Sequence, residues 1–355
     1  MNPKIIAFYL PQFHCIEENN KWWGNGFTEW TNTKKAKPLY KGHNQPKEPL
    51  NNRYYCLLDK KMQEWQCNLA EKYGIYGFCY YHYWFSGKKL LQKPMENMLN
   101  NKNIEFPFCI SWANEPWTRN WDGRDKEILM SQEYGEEEEW EKHLQYLLPF
   151  FKDVRYIKKD NKPIFILYRA CHIKKCYEMV EYWEKRLTQY GFNGIYIIET
   201  LTGHQKAFCL NNSSAQLEME PMHTIRYHLP LWKQGIRFII KKLNKNGISV
   251  YDKISYSLIW NRIINKNRSY KKTTYLGGFV DWDNSPRWGR RAMIVTGANP
   301  AKFRKYFSIQ YNLSKQINNE YLFINAWNEW GEGTFLEPDK KYKYKYLEAI
   351  RKVIG

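Results

Sequence analysis

The sequence predicts an α/β fold: one (β/α)8 barrel over residues 1–355, with a basic helical insertion at 226–272 between its sixth and seventh strands. Three observations predict it. Eight short runs of apolar, β-branched and aromatic residues recur along the 355-residue chain, as expected of parallel strands covered on both faces. Segments with apolar residues at three- and four-residue spacing lie between several of the runs and read as helices. Polar and aromatic residues collect just beyond most runs, at the strand ends where barrels build their sites. A doubly wound sheet is the alternative, but its Gly-rich phosphate turn is missing. Gly24 and Gly26 have no third glycine in place and follow no strand.

The first run is Lys4–Leu10. A helical segment over Asp59–Tyr73 precedes the second, Gly74–Tyr81, and the third is Phe106–Trp112. A helix over Glu136–Phe151 leads to Pro163–Tyr168, and one over Glu178–Tyr190 leads to Gly194–Ile198. The sixth run, Ala215–Met219, and the seventh, Gly277–Asp281, stand roughly twice the usual unit apart. A helix over Pro300–Ile317 leads to the eighth, Tyr321–Trp327.

The eighth run enters Asn328, Glu329, Trp330, Gly331, Glu332 and Gly333, where hydrophobic periodicity ends. Two carboxylates three residues apart, on a Gly-flanked turn among tryptophans, suit a site better than a core. Apolar walls raise one carboxyl pKa by desolvation, while a better solvated neighbour stays ionised. That division of labour is what chemistry at a glycosidic bond requires. The plainer reading is a solvated polar loop.

Composition narrows the partners. Sixteen Trp and 28 Tyr exceed what a core needs and suit stacking on sugar faces. The net charge of +19 implies something acidic, or only a Lys-rich composition. The insertion holds 12 basic residues against the single acid Asp252, a surplus of 11. Trp232, Ile236, Phe238, Ile239, Ile240 and Leu243 are interleaved with its basic residues, a pattern that suits an anionic membrane surface. A solvated face of a barrel-packed helix is the other reading. No nucleic-acid recognition module is visible. Eight Cys without a CxxC pair read as free thiols of a reducing compartment. The first residues enter a strand without a leader pattern, and no apolar run reaches membrane-span length, so a cytoplasmic protein, membrane-peripheral through 226–272, is expected.

Other strand ends carry candidates. Glu115, within Asn114, Glu115 and Pro116, could pair with Glu329 across the barrel as a two-sided carboxylate set. Asp281 and Asp283 form an Asp-x-Asp step of the kind that holds a metal against a sugar nucleotide, though so short a step arises readily by chance. His14 and His82 could bond sugar hydroxyls, or be satisfied structural histidines. Trp22, Trp23, Trp84, Trp112, Trp117 and Trp121 are candidate stacking walls.

Several of these segments together resemble a known family. Lys4 to His14, Trp22 to Asn32, Gly77 to Phe85, Trp112 to Glu115, Trp282 to Arg291 and Asn325 to Gly333 are similar to the WbsX-like family, associated with bacterial surface-polysaccharide and O-antigen synthesis. That family is in turn similar to glycoside hydrolase family 99, a (β/α)8 family acting on α-mannosidic bonds. The resemblance implies a carbohydrate-active enzyme whose Glu329 deprotonates a sugar 2-hydroxyl and whose Glu332 protonates the departing oxygen, through a 1,2-anhydro sugar. Gly331 stands where the hydrolases carry His. Motifs and strand ends together make Tyr9, His14, Trp22, Trp23, Glu29, His82, Trp84, Trp112, Asn114, Glu115, Trp121, Asp281, Asp283, Asn328 and Trp330 the expected substrate contacts, with no metal and no cofactor. The expected substrate is an oligosaccharide or polysaccharide. A glycosyltransferase of lipopolysaccharide or capsule assembly and a non-catalytic glycan-binding protein are the alternatives.

Overall fold

The computed structural model describes residues 1–119, 124–268 and 272–355. The eight apolar runs form eight parallel strands: β1 (Lys4–Tyr9), β2 (Ile75–Phe85), β3 (Phe108–Trp112), β4 (Lys162–Leu167), β5 (Tyr196–Leu201), β6 (Ala215–Glu218), β7 (Thr273–Phe279) and β8 (Tyr321–Asn325). Each pairs with its sequence neighbour. β1 pairs with β2 on one side and with β8 on the other, Lys4 opposite Tyr321 and Ala7 opposite Ile324, so the sheet closes. Closure explains why the strands read as unbroken apolar runs: one face fills the barrel and the other packs under helices.

The helices have local causes. α1 (Glu17–Trp23) and α2 (Glu29–Lys35) follow β1, and α3 (Lys60–Lys72) starts where the Asp59 carboxylate accepts from the Lys61 N–H at 2.9 Å. α4 (Lys93–Asn100) follows β2. α5 (Glu137–Lys152) carries three glutamates in its first turn, which complement the helix dipole, and buries Trp140, Leu144, Leu147 and Phe151. α6 (Cys176–Gln189) buries Met179, Val180, Trp183 and Leu187.

β5 and β6 are joined without a helix. The buried Glu199 carboxylate organises the connection instead, accepting from Ser213 Oγ (2.6 Å), Gln205 Nε2 (2.9 Å) and the N–H groups of Cys209 and Leu210 (2.9 and 3.1 Å). The long connection after β6 contains α7 (Met222–Tyr227), α8 (Leu231–Lys245) and α9 (Tyr256–Asn265). Between β7 and β8 lie α10 (Ser285–Trp288) and α11 (Pro300–Gln316), and α12 (Lys345–Ile354) packs on α11. Among the described residues no helix is long and apolar enough to cross a membrane.

Candidate active site

Beyond β8 the chain makes a two-residue antiparallel pairing, Asn328–Glu329 with Thr334–Phe335, around one 3-10 turn, Trp330–Glu332. Gly333 closes the turn at φ 69°, a left-handed conformation that suits glycine. Asn328 anchors the turn to the end of β1: its Oδ1 accepts from the Leu10 N–H at 2.7 Å and its Nδ2 donates to the Leu10 carbonyl at 3.0 Å. Trp330 is buried, stacked on Phe335 at 3.7 Å, and its indole N–H donates to Glu337 at 2.6 Å. Between these clamps Glu329 and Glu332 reach the wall of a cleft of about 220 Å³ at the C-terminal strand ends.

Arg287 of α10 binds the pair. Its Nη1 donates to Glu332 Oε1 at 2.6 Å, and its Nη2 donates to Glu29 Oε1 at 2.8 Å and lies 3.5 Å from Glu329 Oε2. Three carboxylates thus share one guanidinium in a desolvated place. Burial, followed by the charge of Glu332, pushes the Glu329 carboxyl well above the ordinary carboxylate range; Arg287 opposes this only partly. Burial also raises Glu332, against the pull of Arg287. The shorter contact from Arg287, 2.6 Å to Glu332 against 3.5 Å to Glu329, favours negative charge on Glu332 over Glu329. Glu329 Oε2 is buried and finds no hydrogen-bond partner among the described residues, Arg287 Nη2 standing 3.5 Å away.

Gly331 is required by the same cluster. A Cβ there would stand 1.7 Å from Glu29 Oε1 and 3.1 Å from Arg287 Nε. The space that a side chain at this position would claim is occupied by the Glu29–Arg287 pair.

Across the cleft, Glu115 is paired with Arg169, and burial raises its pKa. Asn114 holds that arrangement: its Oδ1 accepts from the Arg169 N–H at 2.8 Å and its Nδ2 donates to the Arg169 carbonyl at 2.9 Å. The aromatic wall is Trp23, Tyr81, Tyr83, Trp117 and Tyr168, with Leu10 and Gln12 beside it. Burial keeps the hydroxyls of Tyr81, Tyr83 and Tyr168 protonated, so they are available as donors.

The cleft therefore gathers Glu329, Glu332, Glu115, Trp23 and Trp117 of the expected residues; Glu29 stands behind them, and Trp22 meets Trp117 edge-on at 5.8 Å. Others stand elsewhere. Along β2, Tyr81 and Tyr83 line the cleft while His82 and Trp84 turn outward to α5, where His82 meets His143 at 2.9 Å and Trp84 stacks on the same ring. Trp112 donates to the Trp84 carbonyl on that outer side, and Tyr9 donates to Gln66 of α3. These positions belong to the strand face opposite the cleft, because side chains alternate. His14 accompanies the Pro11 carbonyl at 3.0 Å. Asp281 accepts from Lys47 at 2.8 Å, and Asp283 Oδ2 lies 2.6 Å from Gln45 Nε2 and 2.8 Å from His43 Nε2. Neither lines the cleft, nor, among the described residues, do three or more His, Cys, Asp or Glu side chains cluster to hold a metal. Asn328 and Trp330 hold the turn. Trp121 lies outside the described residues. The uniform hydrophobicity of the runs ending at Tyr81 and Tyr168 hides those two residues, and no local pattern singles out Arg287.

The family model described as "Glycosyltransferase WbsX" matches residues 5–350. This chain belongs to the WbsX family. Its curated relatives include the protein WxcX from two strains of Xanthomonas campestris pv. campestris, B100 and ATCC 33913, each 30% identical over 354 residues. The match takes in 99% of this chain and 49% of theirs, so this WbsX chain spans about half the length of those relatives. Among solved structures, a glycoside hydrolase-like protein superposes with a TM-score of 0.61 at 11% identity, covering 100% of this chain and 94% of its own. The GH99 endo-α-mannosidase of Bacteroides thetaiotaomicron superposes with a TM-score of 0.56 at 14% identity, covering 99% and 96%. Those two likenesses establish that the WbsX chain has their barrel fold.

Proposed function

We propose that this protein acts at a glycosidic bond of a bacterial surface polysaccharide or oligosaccharide, with Glu329 and Glu332 as its acid/base pair. The observation that carries the reading is the asymmetric pair itself: two carboxyls from one turn on one cleft wall, Glu332 hydrogen-bonded to Arg287 at 2.6 Å and Glu329 3.5 Å from it. The resemblance makes Glu329 the base for the sugar 2-hydroxyl and Glu332 the acid, by way of a 1,2-anhydro sugar. Burial raises the Glu329 carboxyl, so that order requires Glu329 to be ionised before the chemical step. The aromatic wall supports sugar binding by stacking.

A glycosyltransferase using a sugar-nucleotide donor is the second reading, favoured by the family's description. Against it stand the acids of the described lining: Glu115, Glu329 and Glu332 would face a diphosphate, with Arg287 already shared among three carboxylates. Transfer from a glycoside donor to a sugar hydroxyl remains compatible with the same pair.

Mass spectrometry of the protein with α-linked oligosaccharides, and separately with sugar nucleotides and acceptors, tests this. Glu329→Gln and Glu332→Gln are each expected to lower turnover at least ~100-fold. Near-normal turnover in either variant refutes the pair, and nucleoside diphosphate release favours the second reading.

A further inference from the structure

Helix α8 is amphipathic in the reverse of the usual sense. A helix on a globular protein ordinarily turns its apolar stripe to the core. Here the inward row is polar. Lys233 Nζ donates to the Lys253 carbonyl at 2.6 Å, and Arg237 Nε donates to Asp252 at 2.5 Å. Arg237 also donates to the Ile225 carbonyl at 3.0 Å, and Asn244 exchanges hydrogen bonds with the Val250 backbone at 2.6 and 2.8 Å. Positions 233, 237 and 244 share one side of the helix, so the apolar residues fall on the other.

That other side faces solvent. Leu231 is 85% exposed, Phe238 70%, Trp232 62% and Ile239 57%, with Ile236 exposed beside them and Ile248 beyond the helix end. Folding gains nothing from leaving these side chains in water, while the polar row that holds the helix down is satisfied in place. Lys241, Lys242 and Lys245 are exposed at the C-terminal part of the helix, and Arg226 is exposed before its start. Apolar side chains fringed with cations match a layer with an apolar interior and an anionic surface.

We propose that α8 is a membrane-surface anchor, which lies flat on an anionic phospholipid leaflet with Leu231, Trp232, Phe238 and Ile239 in the acyl boundary and its lysines among the headgroups. A second copy of the chain is the poorer occupant. Two such faces would bring the exposed Lys241, Lys242 and Lys245 of each copy together, like charges that repel. The anchor does not depend on the catalytic reading, since none of these residues lines the cleft.

The test is co-sedimentation of the whole protein with phosphatidylcholine vesicles, with and without phosphatidylglycerol. Binding is expected only where phosphatidylglycerol is present, and is expected to weaken as salt rises. A Trp232→Ser/Phe238→Ser/Ile239→Ser variant and a Lys241→Glu/Lys242→Glu/Lys245→Glu variant are each expected to bind at least ~10-fold more weakly. Both should keep the wild-type melting temperature, because the substituted side chains are exposed. Absence of vesicle binding, or undiminished binding by the first variant, overturns the proposal. So does a concentration-dependent dimer in sedimentation velocity that the first variant abolishes, which would give the face to a second copy.

Discussion

Gly331→Ala should destabilise the protein by about 3–5 kcal/mol, through Glu29 rather than through the backbone. The new methyl would stand 1.7 Å from Glu29 Oε1 and 2.9 Å from its Cδ. A surface glutamate would swing aside at little cost. Glu29 is fully buried, and the oxygen in the way is the one Arg287 holds at 2.8 Å, so admitting the methyl breaks a buried ion pair. For 355 residues, an unfolding entropy of about 2.1 cal/mol/K per residue converts that loss to a fall of about 4–7 °C in Tm. The decisive assay is a double-mutant cycle by urea and thermal unfolding of wild type, Gly331→Ala, Glu29→Ala and the double variant. In the Glu29→Ala background the methyl enters vacated space and should cost less than about 1 kcal/mol, a coupling of at least about 2 kcal/mol. Additivity within about 0.5 kcal/mol would refute the argument, since Glu29 would then not be what excludes a side chain at 331.

The Glu329 carboxyl is held above its unfolded value near 4.3, so its contribution to stability is present below about pH 4.3 and lost as pH rises through the folded value. Glu329→Gln should therefore melt above wild type at pH 8, with the gap closing near pH 4. If Glu329 is the base, kcat/KM rises over the span in which wild-type stability falls; a falling limb there would make it the acid. Burial lowers the His82 pKa to about 3 and depresses its neighbour His143, so the stability they contribute is present above about pH 6.5 and lost as pH falls toward 3. His82→Gln, which keeps a partner for His143, should move the acid-unfolding midpoint downward, and an unmoved midpoint would show that the pair does not govern acid sensitivity. Trp117→Ala, which takes a ring from the cleft wall, should raise KM about tenfold, or ~1.4 kcal/mol, with little change in kcat; an unchanged KM would remove it from the binding surface.

The barrel was legible because its strands are apolar on both faces, and the same property hid which residues face inward. Tyr81, His82, Tyr83 and Trp84 form one aromatic string in which hydropathy marks no inner face; only closure of the sheet sends the two tyrosines to the cleft and the other two to α5. The turn with Glu329 and Glu332 stood out because periodicity stops there and glycines begin. Arg287 and Glu29 are 258 residues apart, and no local pattern could show that they meet. The connection between β5 and β6 escaped for another reason: a single buried carboxylate, Glu199, orders a segment that helix-period reasoning leaves blank.

The pairing of β1 with β8 also sets the order in which the chemistry comes into being. Glu29 arrives early in synthesis, Arg287 after β7, and Glu329 and Glu332 only with the last barrel strand. A nascent chain with seven strands carries open edges at β1 and β7 and neither Glu329 nor Glu332. Long-range closure of this kind is the slow part of folding. Assembly of the candidate site and completion of the sheet thus become one event, and a chain arrested before it lacks the Glu329–Glu332 turn.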